Sequence, residues 1–216
     1  MRTIELDRWP RRRQFELYRH FSSPHFNVCA PVDVTAFARK VKRAGASFSV
    51  TTVYVLAATA NQIPEFRTRI RDQHVVEHDV VHPSVTILTE QQQFSFCCLP
   101  FHQDFPAFAA EADKRIAQAK AHPNLEDEPG RDDYLFMTSI PWVSFTSFAH
   151  PMHLSPPDCI PRMAWGKYYT EGKRLKMPLS VQGHHALMDG FHVGKYFELA
   201  QANFEAFDLS SFSQTA

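Results

Sequence analysis

Residues 182–195 read QGHHALMDGFHVGK and join a predicted strand to a predicted helix. Before them, residues 175–181 alternate apolar with polar or small side chains, which predicts a strand with one buried face. After them, apolar residues recur every three or four positions, which predicts an amphipathic helix. In between, His184 and His185 precede Asp189 and Gly190, so an imidazole, a carboxylate and a flexible backbone position share one turn. A histidine pair at a strand end is more often two ordinary polar residues, but an imidazole in such a turn can also act as a base near neutral pH.

The hydrophobic pattern of the whole chain predicts helices interspersed with strands. Helices are expected over about 11–20, from an Asp33 cap to a Gly45 cap, over about 51–63, from an Asp104 cap to about 119, and after Gly190. Strands are expected within 74–90, 94–99 and 134–148 and in a hairpin of 163–169 with 175–182, so that the sheet begins near His74. This order favours an α/β fold, a two-layer sandwich in which a mixed β-sheet packs against helices, as a single domain over 1–216.

Composition limits the classes of partner. Twenty-three basic and 23 acidic side chains give a formal net charge of zero. Such a chain lacks the field that draws proteins onto nucleic acid or an anionic membrane, so we expect a small, largely uncharged substrate. The four cysteines lack zinc-type spacing, which predicts reduced thiols and no metal. A charged start and the lack of an apolar run of about 18 residues predict a soluble, cytoplasmic protein.

The pattern HHALMDGFHVG at 184–194 resembles the active-site signature of the chloramphenicol acetyltransferases. The shorter HHxxxDG signature also occurs in dihydrolipoyl acyltransferases and in peptide-synthetase condensation domains, whereas GFHVG is closer to the chloramphenicol enzymes. Further segments resemble that family in the same order: RRRQFELYRHF (11–21), PEFRTRI (64–70), VHP (81–83), PWVSFTSF (141–148), GKYYTEG (166–172) and MPLSVQ (177–182). The resemblance covers nearly the full length and implies the family fold and acetyl transfer from acetyl-CoA.

The resemblance implies a role for the turn itself. His185 matches the general base, which deprotonates the acceptor hydroxyl with one ring nitrogen while the other keeps its proton. Asp189 matches an aspartate that pairs with an arginine of the first helix and holds the loop in shape. Arg11 is in register for that pair, with Arg12 and Arg13 as alternatives. A direct pair between His185 and Asp189 is not expected, because a spacing of four across a turn does not fix a contact.

The resemblance also implies a donor for the oxyanion that forms when the thioester carbonyl is attacked. Thr138, three residues before Pro141, matches a serine with this role. Threonine keeps the hydroxyl and adds a methyl group, so the role is plausible on chemical grounds. Ser139 is the alternative donor, and a strand threonine without a catalytic role is the other interpretation.

Two substrate sites follow from the resemblance. Three residues match family positions near the coenzyme A tunnel, namely Trp142, Lys167 and Tyr168. Aromatic rings and a cation suit an adenine and its phosphates there. Core packing would explain the two aromatic residues equally well. The acceptor pocket is matched by Leu17, Tyr18, Phe26, Phe94, Phe96 and Phe148. Family precedent implies a homotrimer in which one subunit contributes His185 and its neighbour contributes most of the acceptor pocket.

Three residues depart from the family pattern in the acceptor pocket. Ala164 stands where a threonine is common, Phe96 where a small residue is usual, and His150 where an apolar or acidic residue is found. Such changes would reshape the acceptor site and leave acetyl transfer in principle intact. The leading hypothesis is acetylation of the chloramphenicol 3-hydroxyl, which confers antibiotic resistance. The alternatives are another hydroxyl-bearing small molecule as acceptor, and a non-catalytic hydrophobic-ligand binder with the same fold.

Overall fold

A computed structural model describes residues 1–153 and 158–209. The helices in this part of the chain are α1 (Arg12–Tyr18), α2 (Thr35–Arg43), α3 (Phe48–Asn61), α4 (Phe105–Ala121) and α5 (Gly190–Ala206). The strands are β1 (Arg2–Thr3), β2 (His25–Asp33), β3 (Thr68–Arg71), β4 (His74–Glu77), β5 (His82–Leu88), β6 (Phe94–Cys98), β7 (Tyr134–Ile140), β8 (Arg162–Gly166), β9 (Tyr169–Glu171) and β10 (Arg174–His184). Short 3-10 turns cover Leu6–Arg8 and Pro64–Arg67.

The main sheet is mixed, as predicted. Its strand order is β2-β10-β8-β7-β5-β6, and β9 also pairs with β10. β7 runs parallel to both β5 and β8, while the other neighbouring strands run antiparallel. A separate small sheet has the order β1-β4-β3.

Helices α2 to α5 pack against one face of the main sheet. β10 shows the reason, because Met177, Leu179 and Val181 are fully buried in the core shared with these helices. The alternate residues of a strand point to the opposite face, where Ser180 and Gln182 lie. The two-layer α/β prediction is therefore confirmed. None of the helices in the described ranges is long and apolar enough to cross a bilayer.

The face of the sheet without helices is polar and carries an irregular segment. Phe148 O accepts hydrogen bonds from Asn27 Nδ2 at 2.7 Å and from Ser180 Oγ at 3.1 Å. His150 N donates to Gln182 Oε1 at 3.1 Å. Side chains of β2 and β10 thus hold the segment that follows β7 against the sheet.

Two strand predictions were wrong. The sheet does not begin near His74, because β2 forms nine residue pairs with β10. β2 was missed because Pro31 interrupts its pattern, and an edge strand tolerates a proline that a central strand would not. The strand predicted over 134–148 ends at Ile140, since Pro141 has no N–H to continue the ladder.

Helix boundaries differ from the prediction by a few residues. α3 begins at Phe48 because Ser47 caps it, its Oγ accepting from Val50 N at 3.3 Å. Asp33 ends β2 instead of capping α2 as predicted, although its carboxylate accepts from Thr35 N at 2.9 Å. The sequence signals therefore identified that these two helices exist, but they placed the first residue of each a few positions away from where the structure has it.

Candidate active site

The turn between β10 and α5 is fixed by its backbone and by close packing. His185 N donates to Pro24 O at 2.8 Å. The next three residues, 186–188, are fully buried. A Cβ atom at position 183 would overlap the thioether sulfur of Met188, so a larger residue there would require the Met188 side chain to move. The backbone that carries His185 is therefore fixed in one place.

The His185 ring is held between two aromatic side chains. It stacks on Tyr18 with ring centroids 4.1 Å apart and an interplanar angle of 2°, and it lies 4.9 Å from Phe26. Its Nδ1 is buried and has no hydrogen-bond partner in the part of the chain that the structure describes, which leaves Nε2 as the accessible nitrogen. A single ring nitrogen is thus available to a ligand.

Asp189 and Arg11 form an ion pair, and Arg11 also binds the backbone of the turn. Arg11 Nη1 lies 2.7 Å from Asp189 Oδ2, and Arg11 Nη2 donates to His185 O at 3.2 Å. Burial raises the pKa of Asp189, but the hydrogen bond from Arg11 and nearby positive charge outweigh it, so the pKa lies below its usual value. The carboxylate stays ionised at neutral pH and anchors the arginine.

The structure separates Arg11 from its sequence neighbours. Arg12 pairs with Asp7 and Glu16 at the surface, and Arg13 is exposed. The carboxylate of Asp189 bonds to Arg11 and to a backbone amide, and its Oδ1 lies 2.9 Å from Nδ1 of His192. Within the described residues it makes no bond to the ring of His185. Arg11 is therefore the partner, and a direct dyad is absent from these contacts.

Thr138 lies in a row of residues that crosses the helix-free face of the sheet. The register places Ser180 beside Ala164 and Ala164 beside Thr138, while Thr86 pairs with Phe96 on the far side. Thr138 Oγ1 and Thr86 Oγ1 are 3.4 Å apart. The predicted oxyanion donor is thus flanked by Ala164 and is close to Phe96, two of the residues that depart from the family pattern.

One chain does not bring Thr138 and His185 together. Thr138 is two strands away from Ser180, and His185 lies five residues further along the chain from Ser180. Strand spacing and rise per residue put the two side chains about 19 Å apart. The alternative donor, Ser139, lines a cavity of about 20 Å³ beside Met137 on the helix-covered side of the sheet. It does not share the face of Thr138.

The predicted site residues therefore fall into two groups. We define the histidine half as Arg11, Tyr18, Phe26, His185 and Asp189. We define the threonine half as Phe96, Thr138, Phe148 and Ala164. Leu17 is 55% exposed on α1, and Phe94 is 52% exposed on β6, where it contacts Phe96 at 5.9 Å. The two halves lie apart in one chain.

The predicted coenzyme A residues meet at the opposite end of the sheet from His185. Lys167 N donates to Val143 O at 2.9 Å, which joins the turn after β8 to the turn after β7. Trp142 is 66% exposed and Tyr168 is 45% exposed, with the Tyr168 ring 5.6 Å from Phe48. Core packing in this chain is therefore the wrong explanation for both aromatic residues. They form a surface cluster with a cation.

His150 is neutral and has unsatisfied hydrogen-bonding groups. Neither ring nitrogen has a partner among the described residues, although both are buried. Burial, with a smaller contribution from the Arg162 charge, lowers the pKa of His150 to about 4. Its ring meets Phe148 edge-on at 4.7 Å. A buried imidazole with a free donor and acceptor next to the threonine half can bind a polar group.

Sequence reasoning missed two contacts of the turn. Pro24 O, which accepts from His185 N, has no sequence signal. His192 closes a capping box with Asp189 at the start of α5, and it lies 3.5 Å from Glu65. His192 belongs to the quoted GFHVG segment, so its position at the third residue of a helix could have indicated a cap.

The neighbouring His184 makes stability depend on pH. It is almost fully buried, its Nδ1 accepts from Ala186 N at 3.2 Å, and burial, then the His25 ring, lowers its pKa to about 4. The unfolded value is about 6.5, so the unfolded chain binds the proton first as pH falls. The stabilising contribution is complete above about pH 6.5 and is lost as pH falls toward 4.

We therefore expect acid to destabilise the wild type more than His184→Asn. The asparagine amide oxygen can accept the Ala186 N–H but does not titrate. The free energy of unfolding, measured by denaturant titration at several pH values, should fall by about 1 kcal/mol more per pH unit in the wild type between about pH 6 and 4.5. Parallel pH curves for the two proteins would contradict this assignment.

Two cavities lie away from His185. A cavity of about 400 Å³ lies against the amino-terminal segment, lined by Trp9, Glu65 and neighbouring residues, and the small cavity beside Met137 lies under the helices. Neither is lined by His185. Within 1–153 and 158–209 there is no group of three or more metal-ligating side chains, and all four cysteines are free.

Comparisons with known proteins show which family the chain resembles. The chain matches the family model described as chloramphenicol acetyltransferase over residues 1–201. It is 34% identical over 194 residues to a chloramphenicol acetyltransferase of Klebsiella sp, covering 89% of each chain. It is 30% identical over 200 residues to chloramphenicol acetyltransferase 3 of Escherichia coli, covering 92% of this chain and 94% of that protein.

Solved structures extend the comparison. A chloramphenicol acetyltransferase structure aligns with a TM-score of 0.84 and 26% identity, covering 94% of this chain and 99% of that one. A probable dihydrolipoamide acetyltransferase from Listeria monocytogenes aligns with a TM-score of 0.66 at 16% identity over 95% of this chain and 94% of that one, which shows a shared fold alone. By the extent of the family match and the identity to these relatives, the chain belongs to the chloramphenicol acetyltransferase family, a family of acyltransferases.

Proposed function

We propose that this acyltransferase moves the acetyl group of acetyl-CoA to the 3-hydroxyl of chloramphenicol, with His185 as general base. The observation that carries the proposal is the placement of the His185 ring. It lies between the rings of Tyr18 and Phe26, and its Nδ1 is buried, so Nε2 is the nitrogen left for a ligand. An imidazole fixed in this way can accept a proton from a hydroxyl within hydrogen-bond reach. The names and identity of the relatives support chloramphenicol as the acceptor.

The reaction needs two proton transfers, one to the imidazole of His185 and one from it. Nε2 takes the hydroxyl proton while the acceptor oxygen attacks the thioester carbonyl, and Nδ1 keeps its own proton. The carbonyl oxygen becomes an oxyanion, which a positioned hydroxyl can stabilise by a few kcal/mol. Collapse forms the acetate ester and expels the coenzyme A thiolate, which receives the proton from the imidazolium of His185. No acyl-enzyme is formed.

We propose that the active enzyme is a homotrimer with its sites between subunits. An oxyanion donor must lie about 3 Å from the reacting oxygen, whereas Thr138 is about 19 Å from His185 in one chain. A site that uses both residues therefore needs the histidine half of one subunit and the threonine half of the next. On the helix-free face, Thr86, Phe96 and Thr138 are only half-buried in one chain, which leaves room for another copy.

We also propose that acetyl-CoA binds at the surface cluster of Trp142, Lys167 and Tyr168. The exposed indole and phenol rings can stack on an adenine, and the exposed ammonium can pair with a phosphate. These residues lie at the end of the sheet opposite His185, so the pantetheine arm would bring the thioester to the reacting centre from that side.

Complementation between two inactive chains tests the proposal. A His185→Ala chain keeps its threonine half, and a Thr138→Ala chain keeps its histidine half. Equal amounts, co-expressed with two different tags and purified as mixed trimers, should regain about a third of wild-type turnover, because one of the three sites in every mixed trimer receives both intact halves. Turnover is followed as free coenzyme A thiol in the presence of chloramphenicol.

The controls separate assembly from catalysis. The double variant His185→Ala and Thr138→Ala, mixed with wild-type chain, should give activity below that of undiluted wild type, because many sites then lack a half. Mixed trimers that are no more active than the two parents would contradict the shared site. A monomeric wild-type enzyme with full activity would contradict it as well.

A different hydroxyl acceptor is the second candidate, and the threonine half favours it specifically. Ala164 is fully buried beside Thr138 and offers no hydroxyl, while neither ring nitrogen of His150, which lies near Phe148, has a partner among the described residues. Such a pocket would suit an alcohol with a polar group near its ring. A panel of alcohols assayed by thiol release decides between the two acceptors, since the better substrate has the larger kcat/KM.

A further inference from the structure

His192 occupies a second point of attachment for the catalytic turn, on the side opposite Arg11. Arg11 binds Oδ2 of Asp189, whereas His192 Nδ1 lies 2.9 Å from Oδ1 of the same carboxylate. His192 Nδ1 also accepts from Asp189 N at 3.2 Å. The imidazole is mostly buried at the start of α5. Arg11 thus holds Asp189 through one carboxylate oxygen, and His192 of α5 holds it through its backbone N–H.

One protonation state of His192 satisfies both backbone amides of the turn, although it places two acceptors, Nδ1 and Asp189 Oδ1, 2.9 Å apart. If Nδ1 carried a proton, it could donate to Asp189 Oδ1, but Asp189 N would lose the acceptor that the structure gives it. If Nδ1 is unprotonated, it accepts from Asp189 N, and Asp189 Oδ1 accepts from Phe191 N at 3.1 Å instead. The neutral ring with its proton on Nε2 therefore satisfies both backbone amides.

Glu65 favours this tautomer. Its Oε1 lies 3.5 Å from His192 Nε2, and both side chains are mostly buried. A carboxylate at that distance attracts a proton on Nε2 and leaves the lone pair on Nδ1. Glu65 belongs to the 3-10 turn Pro64–Arg67 after α3, so the contact ties the catalytic turn to a separate element of the core.

We propose that Glu65 and His192 are positioning residues for catalysis: Glu65 sets the His192 tautomer, and His192 fixes the Asp189 backbone and with it the turn that carries His185. The proposal rests on the proposed function, because His185 is taken as the base. Neither residue touches the reacting atoms. Their effect is on kcat, since a turn displaced by about 1 Å misaligns the base without changing the surfaces that bind either substrate.

Isosteric substitutions of His192 test the tautomer directly. The amide oxygen of His192→Asn can occupy the place of Nδ1 and accept from Asp189 N, whereas the amide of His192→Gln reaches the place of Nε2. We expect His192→Ala and His192→Gln to lower kcat by about thirtyfold with both KM values within about threefold, and His192→Asn to recover to within about threefold of wild type. Glu65→Gln should lower kcat by a smaller factor, about fivefold. His122→Ala, an exposed histidine after α4, is the matched control and should match wild type.

Hydrogen exchange at the Asp189 amide provides a readout that needs no acceptor. Exchange resolved by fragmentation of the peptide around residues 182–195 should become at least about tenfold faster in His192→Ala and His192→Gln, and stay slow in His192→Asn. Should chloramphenicol not be turned over by the wild type, the proposed function fails, and exchange still decides whether His192 fixes the turn. Unchanged exchange in His192→Ala, or an Asn variant no better than the Gln variant, would overturn the proposal.

Discussion

His185→Ala is expected to lower kcat by about a thousandfold while the KM values for acetyl-CoA and chloramphenicol change little. General-base catalysis by a positioned imidazole is worth about 10² to 10⁴ in rate, and alanine leaves no group near Nε2 to take the proton. The Tyr18 and Phe26 rings that hold the imidazole remain, so the binding surface is largely kept. Steady-state thiol release over a range of both substrates measures the two parameters separately.

Two companion measurements show whether the loss belongs to the base. Replacing the adjacent His184 by asparagine, assayed near pH 7, should reduce kcat far less, because the His184 ring is buried and its Nδ1 accepts from Ala186 N. His185→Gln, which fills the same space without a base, should be as slow as the alanine variant. Turnover that survives either substitution of His185 would remove this residue from the reaction.

Arg11→Ala is the second variant with a large expected effect, because it removes both contacts of a guanidinium whose side chain is only 10% exposed. Asp189 loses its ion pair and the carbonyl of His185 loses a donor. Breaking a buried pair costs about 3 to 5 kcal/mol, and since Asp189 is 33% exposed we expect about 2 kcal/mol of lost stability. The freed turn should lower kcat by about a hundredfold.

Arg12→Ala is the matched control for this prediction. Arg12 makes exposed ion pairs with Asp7 and Glu16, so its loss should leave both the unfolding free energy and kcat nearly unchanged. Arg11→Lys keeps the charge but cannot make both bonds at once, and it should fall between wild type and Arg11→Ala. Thermal unfolding and thiol release below the melting temperature report the two effects. Equal losses for Arg11→Ala and Arg12→Ala would contradict the assigned pair.

The sequence alone was sufficient for the local structure around His185. Alternation in residues 175–181 and the three-to-four repeat after Gly190 predicted β10 and α5, and both are present. The choice among Arg11, Arg12 and Arg13 could not be made in this way. Consecutive helical residues point in directions about 100° apart, and only the packing of α1 against the turn decides which one faces Asp189.

Long-range placement also could not be read from sequence. β2 lies at the edge of the sheet and contains Pro31, so its pattern is weak although it pairs with nine residues of β10. The wide separation of Thr138 and His185 follows from the strand order, which brings β8 between β7 and β10. Spacing along the chain contains no information about this order. The resemblance implied a site shared between subunits, and the proposal of such a site draws its geometric reason from the order of the strands.

The most direct test of the account is the product formed by the wild-type enzyme from acetyl-CoA and chloramphenicol. Thiol release is recorded spectrophotometrically while mass spectrometry identifies the acceptor product in the same samples. The account predicts one free thiol for each molecule of chloramphenicol that becomes one acetyl group heavier, with the ester on the 3-hydroxyl. Chloramphenicol that binds but is recovered unmodified, with no thiol released, would contradict it.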